Sequence, residues 1–214
     1  MKRIGLTQRV EVVPSYGERR DCLDQRWADL LESLGYCPVP LPNKIDQVEE
    51  YVWALDLHGF VLSGGGDLAC TALPEDERKN IAPERDRLEA ELLRIASRNY
   101  LPVLGVCRGM QAINVHYGGR IMAAPGHTGS THAVNPTANA FVFFERDFTV
   151  NSFHNFVVPA DGLAPDFLPV AACDDGTLEA MCHPTWRCNG VMWHPERYPE
   201  LPVHDRELIR LTFE

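Results

Sequence analysis

Short apolar runs alternate with amphipathic stretches through the first half of the chain. The apolar runs predict strands over residues 4–7, 36–41, 60–62 and 102–106. The amphipathic stretches, whose apolar residues recur every three or four positions, predict helices over residues 21–34, 47–55, 84–98 and 109–117. Strands that alternate with helices are typical of a parallel sheet covered on both faces, so this half indicates an α/β fold.

From residue 141 onward the period of the apolar positions changes to two, apart from a helical pattern over 204–211. A period of two is typical of strands with one buried face, so this half should add antiparallel strands to the same sheet. Residues 74–83 are charged and begin and end with proline, which favours a loop. We expect residues 1–214 to form one three-layer domain around a mostly parallel sheet.

Charge and composition exclude several classes of function. The 214 residues carry 20 Lys and Arg against 30 Asp and Glu, a net charge of −10. Such a chain lacks the basic face that non-specific binding to nucleic acid or anionic membranes requires, so we expect neither partner. No apolar run reaches the ~18 residues of a membrane span. The first eight residues also lack the apolar core of a secretory signal, so we expect a cytoplasmic chain.

The seven cysteines are spread along the chain without the spacing of a zinc knuckle. Most of them should be reduced and should pack as small hydrophobic residues. Cys107 differs, because Gly105-Val106-Cys107-Arg108-Gly109 follows an apolar strand and precedes a helix. This pattern is typical of a nucleophile elbow, whose strained turn leaves no room for a Cβ two residues before or after the nucleophile. The alternative is a buried structural cysteine at an ordinary turn.

A cysteine nucleophile needs a general base, and His194 is the best placed of the eight histidines. It follows the apolar run 190–193, and Glu196 two positions later would hold the imidazole tautomer. The alternative for His194 alone is a histidine beside a surface turn. His-x-Glu also occurs in zinc deaminases, but no Pro-Cys-x-x-Cys follows it here, and we expect no metal.

A glycine-rich segment, Ser63-Gly64-Gly65-Gly66-Asp67, follows the strand predicted over 60–62. Glycine presents a backbone N–H without side-chain obstruction, as an oxyanion hole requires. One alternative is a plain turn, and another is a dinucleotide-binding loop, since Gly64-x-Gly66-x-x-Ala69 fits the loose fingerprint. That fingerprint must open a helix, whereas residues 70–83 have the composition of a loop.

These motifs together resemble the class I glutamine amidotransferase superfamily, and most of all its γ-glutamyl hydrolase branch. The matching residues are Gly-Val-Cys-Arg-Gly-Met-Gln at 105–111, the upstream Ser-Gly-Gly and the late His-Pro-Glu. The resemblance implies a flavodoxin-like sandwich. It also implies a catalytic triad of Cys107, His194 and Glu196, with an oxyanion hole made by the N–H groups of Gly65 and Arg108.

The same resemblance implies a substrate-binding role for residues outside the triad. Gln111, Ser152 and His154 would hold the amino-acid end of a γ-glutamyl group. Asn155 stands where the branch often has a second histidine, and the chain is shorter than the γ-glutamyl-γ-aminobutyrate hydrolases. Both departures argue against that substrate.

A closer resemblance is to the members of the branch that hydrolyse γ-glutamyl-CDP-amidate in capsule synthesis. It is carried by segments along most of the chain, which include Ile4-Gly5-Leu6-Thr7-Gln8-Arg9, Ser15-Tyr16, Asn151-Ser152-Phe153-His154-Asn155-Phe156 and Met192-Trp193-His194. Arg9, Arg19 and Arg20 are candidates to bind the diphosphate of that leaving group, and a solvated surface role is the alternative for each.

The sequence therefore predicts a cysteine hydrolase that cleaves a γ-glutamyl amide through a γ-glutamyl thioester. The expected substrate is a small molecule, preferably nucleotide-linked, and the expected cofactor is none. The alternatives are a γ-glutamyl-γ-aminobutyrate-type hydrolase, a glutaminase subunit that passes ammonia to a synthase, and a non-enzymatic redox sensor. A sensor needs no acid–base pair, so His194 with Glu196 argues against it.

Overall fold

A parallel sheet forms one half of the computed structural model, which describes residues 1–71, 81–124, 127–141, 144 and 148–214. Its strands lie in the spatial order β4 (Cys37–Pro40), β1 (Arg3–Leu6), β5 (Leu57–Leu62), β6 (Val103–Val106) and β13 (Cys188–Val191). Every neighbouring pair in this series is parallel. The carboxyl ends of these strands therefore meet at one edge of the sheet.

Helices cover both faces of this sheet, and their apolar sides form two separate cores. The helices are α1 (Arg26–Ser33), α2 (Val48–Ala54), α3 (Pro83–Asn99), α4 (Arg108–His116) and α5 (Val203–Phe213). Residues of α1 and α5 share one core with Val61, whereas α2, α3 and α4 share the other with Phe60 and Leu62. Successive residues of β5 thus point to opposite faces, as a strand buried on both sides requires.

Antiparallel strands extend the sheet beyond β13. They are β7 (Met122–Ala123), β8 (Thr128–Pro136), β9 (Phe148–Phe153), β10 (Phe156–Pro159), β11 (Leu168–Ala172) and β12 (Thr177–Cys182). The order continues from β13 through β12, β11 and β8 to β9, and β10 pairs with both β12 and β7. The predicted three-layer α/β fold with an antiparallel extension is confirmed, although the extension begins at Met122 and not at residue 141.

The helix predicted over 21–34 is wrong in its first turns. Residues Arg19–Cys22 form β3, which pairs antiparallel with β2 (Arg9–Val12), and helix α1 begins only at Arg26. A turn at Gly17, whose φ is +74°, closes this hairpin. The carboxylate of Asp21 accepts hydrogen bonds from the backbone and side chain of Asn43, which holds the hairpin against the end of β4.

Two further predictions, a loop over 74–83 and a single domain, are not tested by the structure. Residues 74–80 of the predicted loop lie outside the described residues, and helix α3 begins at its last residue, Pro83. That residues 1–214 form one domain stays a prediction. Within the part of the chain that the structure describes, no helix has both the length and the apolar composition to cross a bilayer.

Two glycines determine how closely α4 approaches the sheet. A Cβ on Gly105 would lie 2.5 Å from Ile113 Cδ1, and a Cβ on Gly109 would overlap the carbonyl oxygen of Leu62 in β5. Only hydrogen atoms fit at these positions, so both glycines of the Gly-x-Cys-x-Gly motif are required by packing around the turn.

We expect Gly109→Ala to destabilise the protein by about 2 kcal/mol or more, because backbone must move to relieve the overlap with Leu62. The loss should appear even though Ala gains about 1 kcal/mol over Gly in a helix. Gly35→Ala is the matched control, since Gly35 has a φ of +83° but open space around its Cα. It should cost only about 1–2 kcal/mol. Urea unfolding measures both variants, and a smaller loss at Gly109 than at Gly35 would contradict the packing argument.

Candidate active site

Cys107 occupies a strained turn between β6 and α4. Its φ of +54° and ψ of −109° lie where residues with a Cβ are rarely found, and the side chain is almost fully buried. Hydrogen bonds from Cys107 N to Val191 O, at 2.7 Å, and from Gln111 N to Cys107 O, at 3.2 Å, hold the turn. Such strain costs about 1–3 kcal/mol and persists only where the surroundings enforce it. The turn places the sulfur at the N-terminus of α4, where the helix dipole favours an anion.

His194 and Glu196 follow the strand next to the one that carries Cys107. Strand β13 pairs parallel with β6, with Val191 opposite Val106, so the residues after each strand meet at the same sheet edge. His194 Nδ1 lies 2.7 Å from Glu196 Oε1, and both side chains are buried. Burial lowers the pKa of His194, but hydrogen bonds with Cys107 and Glu196 outweigh it and raise the pKa to about 9. The three predicted triad residues are therefore in contact.

Asn151 fixes the backbone of His194. Its Oδ1 accepts a hydrogen bond from His194 N at 2.9 Å, and its Nδ2 donates to His194 O at 3.0 Å. The ring of Phe153 meets the imidazole edge-on, with 5.8 Å between centroids. A Cβ on Gly64 would lie 2.5 Å from His194 Cε1, so the glycine-rich segment packs directly against the base. Sequence reasoning missed this role of Asn151, whose only signal was its place at the start of the Asn-Ser-Phe-His segment.

A buried guanidinium holds the glycine-rich segment. Arg85, on α3, donates hydrogen bonds to the carbonyl oxygens of Ser63 at 2.5 Å, Gly64 at 3.2 Å and Gly65 at 2.6 Å. The C=O and N–H of one peptide point in opposite directions. Because the Gly64 carbonyl faces Arg85, the N–H of Gly65 points away from Arg85.

Glu89 links this segment to the cysteine turn. Its carboxylate accepts hydrogen bonds from Arg85 at 2.8 Å, Arg108 at 2.5 Å and the Thr7 hydroxyl at 2.8 Å. Arg108 also contacts Asp86. Burial alone would raise the pKa of Glu89, but the two arginines lower it below its usual value and keep the group ionised. The sequence did not indicate this role of Glu89, because two of its partners, Arg108 and Thr7, lie 19 and 82 positions away along the chain.

The three residues predicted to hold the amino-acid end are buried side chains. Gln111 Nε2 donates to Phe156 O at 2.9 Å, and the Ser152 hydroxyl donates to His127 O. Side chains alternate along a strand, so Ser152 lies on the face of β9 opposite to Asn151 and Phe153, and His154, directly after the strand, lies on the same side as Ser152. His154 belongs to a buried group with His127, His132 and Glu179, whose potential ligand atoms lie within 4.8 Å of one another. Substrate binding by Gln111, Ser152 and His154 stays a prediction.

The three candidate arginines occupy different surroundings. Arg9 packs along Gly65, where a Cβ would lie 3.0 Å from Arg9 Cδ, and it pairs with Glu11 at 2.6 Å. Arg19 pairs with Glu84 at 2.6 Å. Arg20 is half exposed and pairs with Glu18 at 2.7 Å. The structure brings Arg9 alone of the three against the glycine-rich segment.

Comparison with known proteins agrees with this geometry. The Peptidase C26 family pattern matches residues 4–196. The chain is 32% identical to the γ-glutamyl-CDP-amidate hydrolase of Campylobacter jejuni over 91% of its own length and 90% of the relative. It is 28% identical to a putative glutamine amidotransferase-like protein of Lactococcus lactis over 94% of this chain and 92% of the relative.

Solved structures share the fold. A putative GMP synthase subunit of Thermoplasma acidophilum superposes with a TM-score of 0.71 at 24% identity, covering 100% of this chain and 92% of that one. A glutamine amidotransferase of Thermotoga maritima gives a TM-score of 0.65 at 16% identity over 91% of this chain and 76% of the other. The predicted superfamily is confirmed, and the chain belongs to the Peptidase C26 family of hydrolases that act on amide bonds.

Proposed function

We propose that this protein hydrolyses a γ-glutamyl amide with Cys107 as nucleophile. The observation that carries the proposal is the strained, buried cysteine hydrogen-bonded to a histidine that Glu196 orients. The γ-glutamyl specificity is supported by the similarity to the hydrolase of Campylobacter jejuni.

The first half of the reaction forms a thioester. The proton of the Cys107 thiol moves to His194, and the thiolate attacks the γ-carbonyl carbon. The carbonyl oxygen takes the negative charge, which the N–H groups of Gly65 and Arg108 stabilise. The C–N bond then breaks, the departing nitrogen takes the proton from His194, and the γ-glutamyl group remains on sulfur.

The second half releases glutamate. His194, now neutral, removes a proton from water, and the hydroxide attacks the thioester carbonyl. The C–S bond breaks, the thiolate leaves, and the protonated His194 pairs with it again. Every proton lost by one group is taken by another, so the cycle needs only the amide and water.

The buried ionic network supports the proposed oxyanion hole. Arg85 binds the carbonyls of residues 63–65, and Arg108 is bound through its side chain to Glu89 and Asp86. Both proposed N–H donors thus belong to backbone that Glu89 holds through the two arginines. Donors fixed before the reaction need no reorganisation when the charge develops, which is the main source of such stabilisation.

The preferred substrate in this proposal is γ-glutamyl-CDP-amidate, cleaved to glutamate and cytidine diphosphoramidate. Its diphosphate would lie beside the scissile bond, where Arg9 packs along Gly65. Arg9 Nε is buried and has no hydrogen-bond partner among the described residues, so a donor is available to an anion at this position. A guanidinium suits a phosphate because it can donate two parallel hydrogen bonds.

A second candidate is a glutaminase subunit that passes ammonia to a synthase. The chain is 31% identical to a glutamine-hydrolysing GMP synthase subunit of Thermoplasma acidophilum over 85% of this chain and 81% of the relative. This candidate predicts low activity of the isolated chain on glutamine and activation by a partner.

Cys107→Ala should reduce glutamate release from a γ-glutamyl amide by at least ~10³-fold. Stability should be unchanged, because Ala keeps the Cβ and therefore the same backbone strain at a φ of +54°. Rate measurements, urea unfolding and mass spectrometry of quenched reactions test this. A mass increase at Cys107 equal to a γ-glutamyl group would support the thioester, and release within tenfold of wild type would exclude Cys107 as nucleophile.

The dependence of kcat/KM on pH should reflect the protonation of His194 beside Cys107. With a His194 pKa of about 9, kcat/KM should fall above about pH 9, where the imidazolium that protonates the leaving nitrogen is lost. Glu196→Gln removes a negative charge that stabilises the imidazolium, so the alkaline limb should move to lower pH by about one pH unit or more. Glu200→Gln, at an exposed position, is the control and should leave the limb in place. An unmoved limb in Glu196→Gln would contradict the assigned role.

Arg9→Ala should lower kcat/KM for γ-glutamyl-CDP-amidate about tenfold or more, since a hydrogen bond to a charged group contributes about 1.5–3 kcal/mol. It should spare γ-glutamyl-γ-aminobutyrate, which has no phosphate. Arg20→Ala is the matched control, because Arg20 is engaged with Glu18 and Tyr16, and it should have the smaller effect, with Arg19→Ala between them. If the wild-type enzyme prefers γ-glutamyl-γ-aminobutyrate, the proposed nucleotide substrate is wrong, and a general γ-glutamyl hydrolase function takes its place.

A further inference from the structure

Three histidines and a glutamate meet between the antiparallel strands, on the face of β9 that does not support His194. His127 precedes β8, His132 lies within it, His154 follows β9, and Glu179 lies in β12. In the β8–β9 ladder Thr128 pairs with Phe153 at one end and His132 pairs with Val150 in the interior, so His127 and His154 flank that end and His132 lies within the ladder. We call these four residues the histidine cluster.

Several ring nitrogens of the histidine cluster are buried without hydrogen-bond partners among the described residues. His154 is 3% exposed and Glu179 is 0% exposed. Both ring nitrogens of His154, His127 Nδ1 and His132 Nε2 lack a partner among the described residues, and the donor beside the Glu179 carboxylate is the weak thiol of Cys173. A buried polar atom without a hydrogen bond costs about 1–3 kcal/mol, so these four imidazole nitrogens together are a large unexplained cost.

The positions of these atoms match a metal site. All four side chains offer a ligand atom within 4.8 Å of the others, and His154 Nε2 lies 3.6 Å from Glu179 Oε1. Bonds of about 2.0–2.1 Å in a tetrahedron place ligand atoms roughly 3.4 Å apart, so rotation of the side chains is enough to close the site.

His127 already has the partner that a metal-binding histidine usually has. Its Nε2 lies 3.1 Å from Asp175 Oδ2, and its Nδ1 is the nitrogen without a partner in the described part of the chain. A carboxylate on one ring nitrogen fixes the tautomer and directs the lone pair of the other nitrogen toward a metal. Asp175 is itself held by the backbone and hydroxyl of Thr177.

We propose that the histidine cluster binds one divalent transition-metal ion, with Zn²⁺ as the best fit. Three imidazoles and one carboxylate suit zinc in tetrahedral coordination, and the ion would compensate the buried charge of Glu179. The sequence expectation of no metal rested on the spacing of cysteines and of His-x-Glu. Such spacing cannot reveal ligands that lie far apart in the sequence on separate strands. The proposed ion would tie β8, β9 and β12 together, and β9 carries Asn151, which holds His194. Its role is thus structural and independent of the proposed substrate.

The test is zinc binding by the full chain. Wild type, stripped with a chelator and dialysed, should bind about one Zn²⁺ per chain, and Co²⁺ in its place should give the intense visible bands of a tetrahedral site. Zinc should raise the melting temperature of the stripped protein. His132→Asn should abolish the cobalt bands, and His58→Asn, which changes a histidine on β5 outside the cluster, should retain them.

A second pair of variants distinguishes loss of zinc binding from loss of the fold. Asp175→Asn changes a half-exposed carboxylate and should weaken zinc binding about 10- to 100-fold without unfolding the chain. Asp174→Asn, at the adjacent residue that bonds Asn135, should bind as wild type does. Absence of stoichiometric binding by wild type would overturn the proposal, and so would cobalt bands that survive in His132→Asn. Histidine NMR showing a protonated imidazole beside Glu179 in the metal-free protein, with no response to zinc, would replace the metal by an ion pair.

Discussion

Glu89 is a carboxylate buried between two guanidinium groups, and the candidate active site depends on it. Arg85, Arg108 and Glu89 are each at most 2% exposed. Burial, together with the charge of Arg108, lowers the pKa of Arg85 to about 10, so the group still carries its proton at neutral pH. Removing one partner from a buried ion pair costs about 3–5 kcal/mol, because the remaining charge is left uncompensated. The fold retains this costly arrangement where two segments of backbone must be held in one relative position.

Strand β9 connects two different polar regions. On one face Asn151 and Phe153 fix the backbone and ring of His194. On the other face Ser152 bonds to the carbonyl of His127, and His154 joins the histidine cluster. A shift of this strand by one residue would exchange the two faces, because side chains alternate along a strand. The position of His194, the proposed base, therefore depends also on the contacts that stabilise the opposite face of β9.

The sequence predicted the structure correctly where the signal lies within a short stretch of the chain, as a glycine spacing or an apolar period does. The elbow was visible in the sequence because its glycines, Gly105 and Gly109, lie two residues before and two after Cys107, although the contact that requires Gly109 is with the distant Leu62. The apolar periods predicted α3, α4 and the parallel strands within a few residues. The hairpin at 9–22 was missed because its strands carry mostly polar residues and gain their order from Asp21 and Asn43, a contact across 22 positions of sequence. The roles of Asn151 and Glu89 were missed for the same reason, since each acts on residues distant along the chain.

The hairpin of β2 and β3 also separates the residues proposed for substrate specificity from the residues proposed for catalysis. The elbow, His194 and the network around Glu89 belong to strands and helices of the parallel half, and they contact only the atoms common to all γ-glutamyl amides in the proposed reaction. Arg9, Arg19 and Arg20 all lie on β2 and β3. Among the described strands, these two pair only with each other and lie outside the main sheet. The hairpin contacts the glycine-rich segment through Arg9 and is held against the end of β4 by Asp21 and Asn43, so its other charged residues can change without disturbing the core. Discrimination between leaving groups would then be set by the segment whose pattern constrains the fold least.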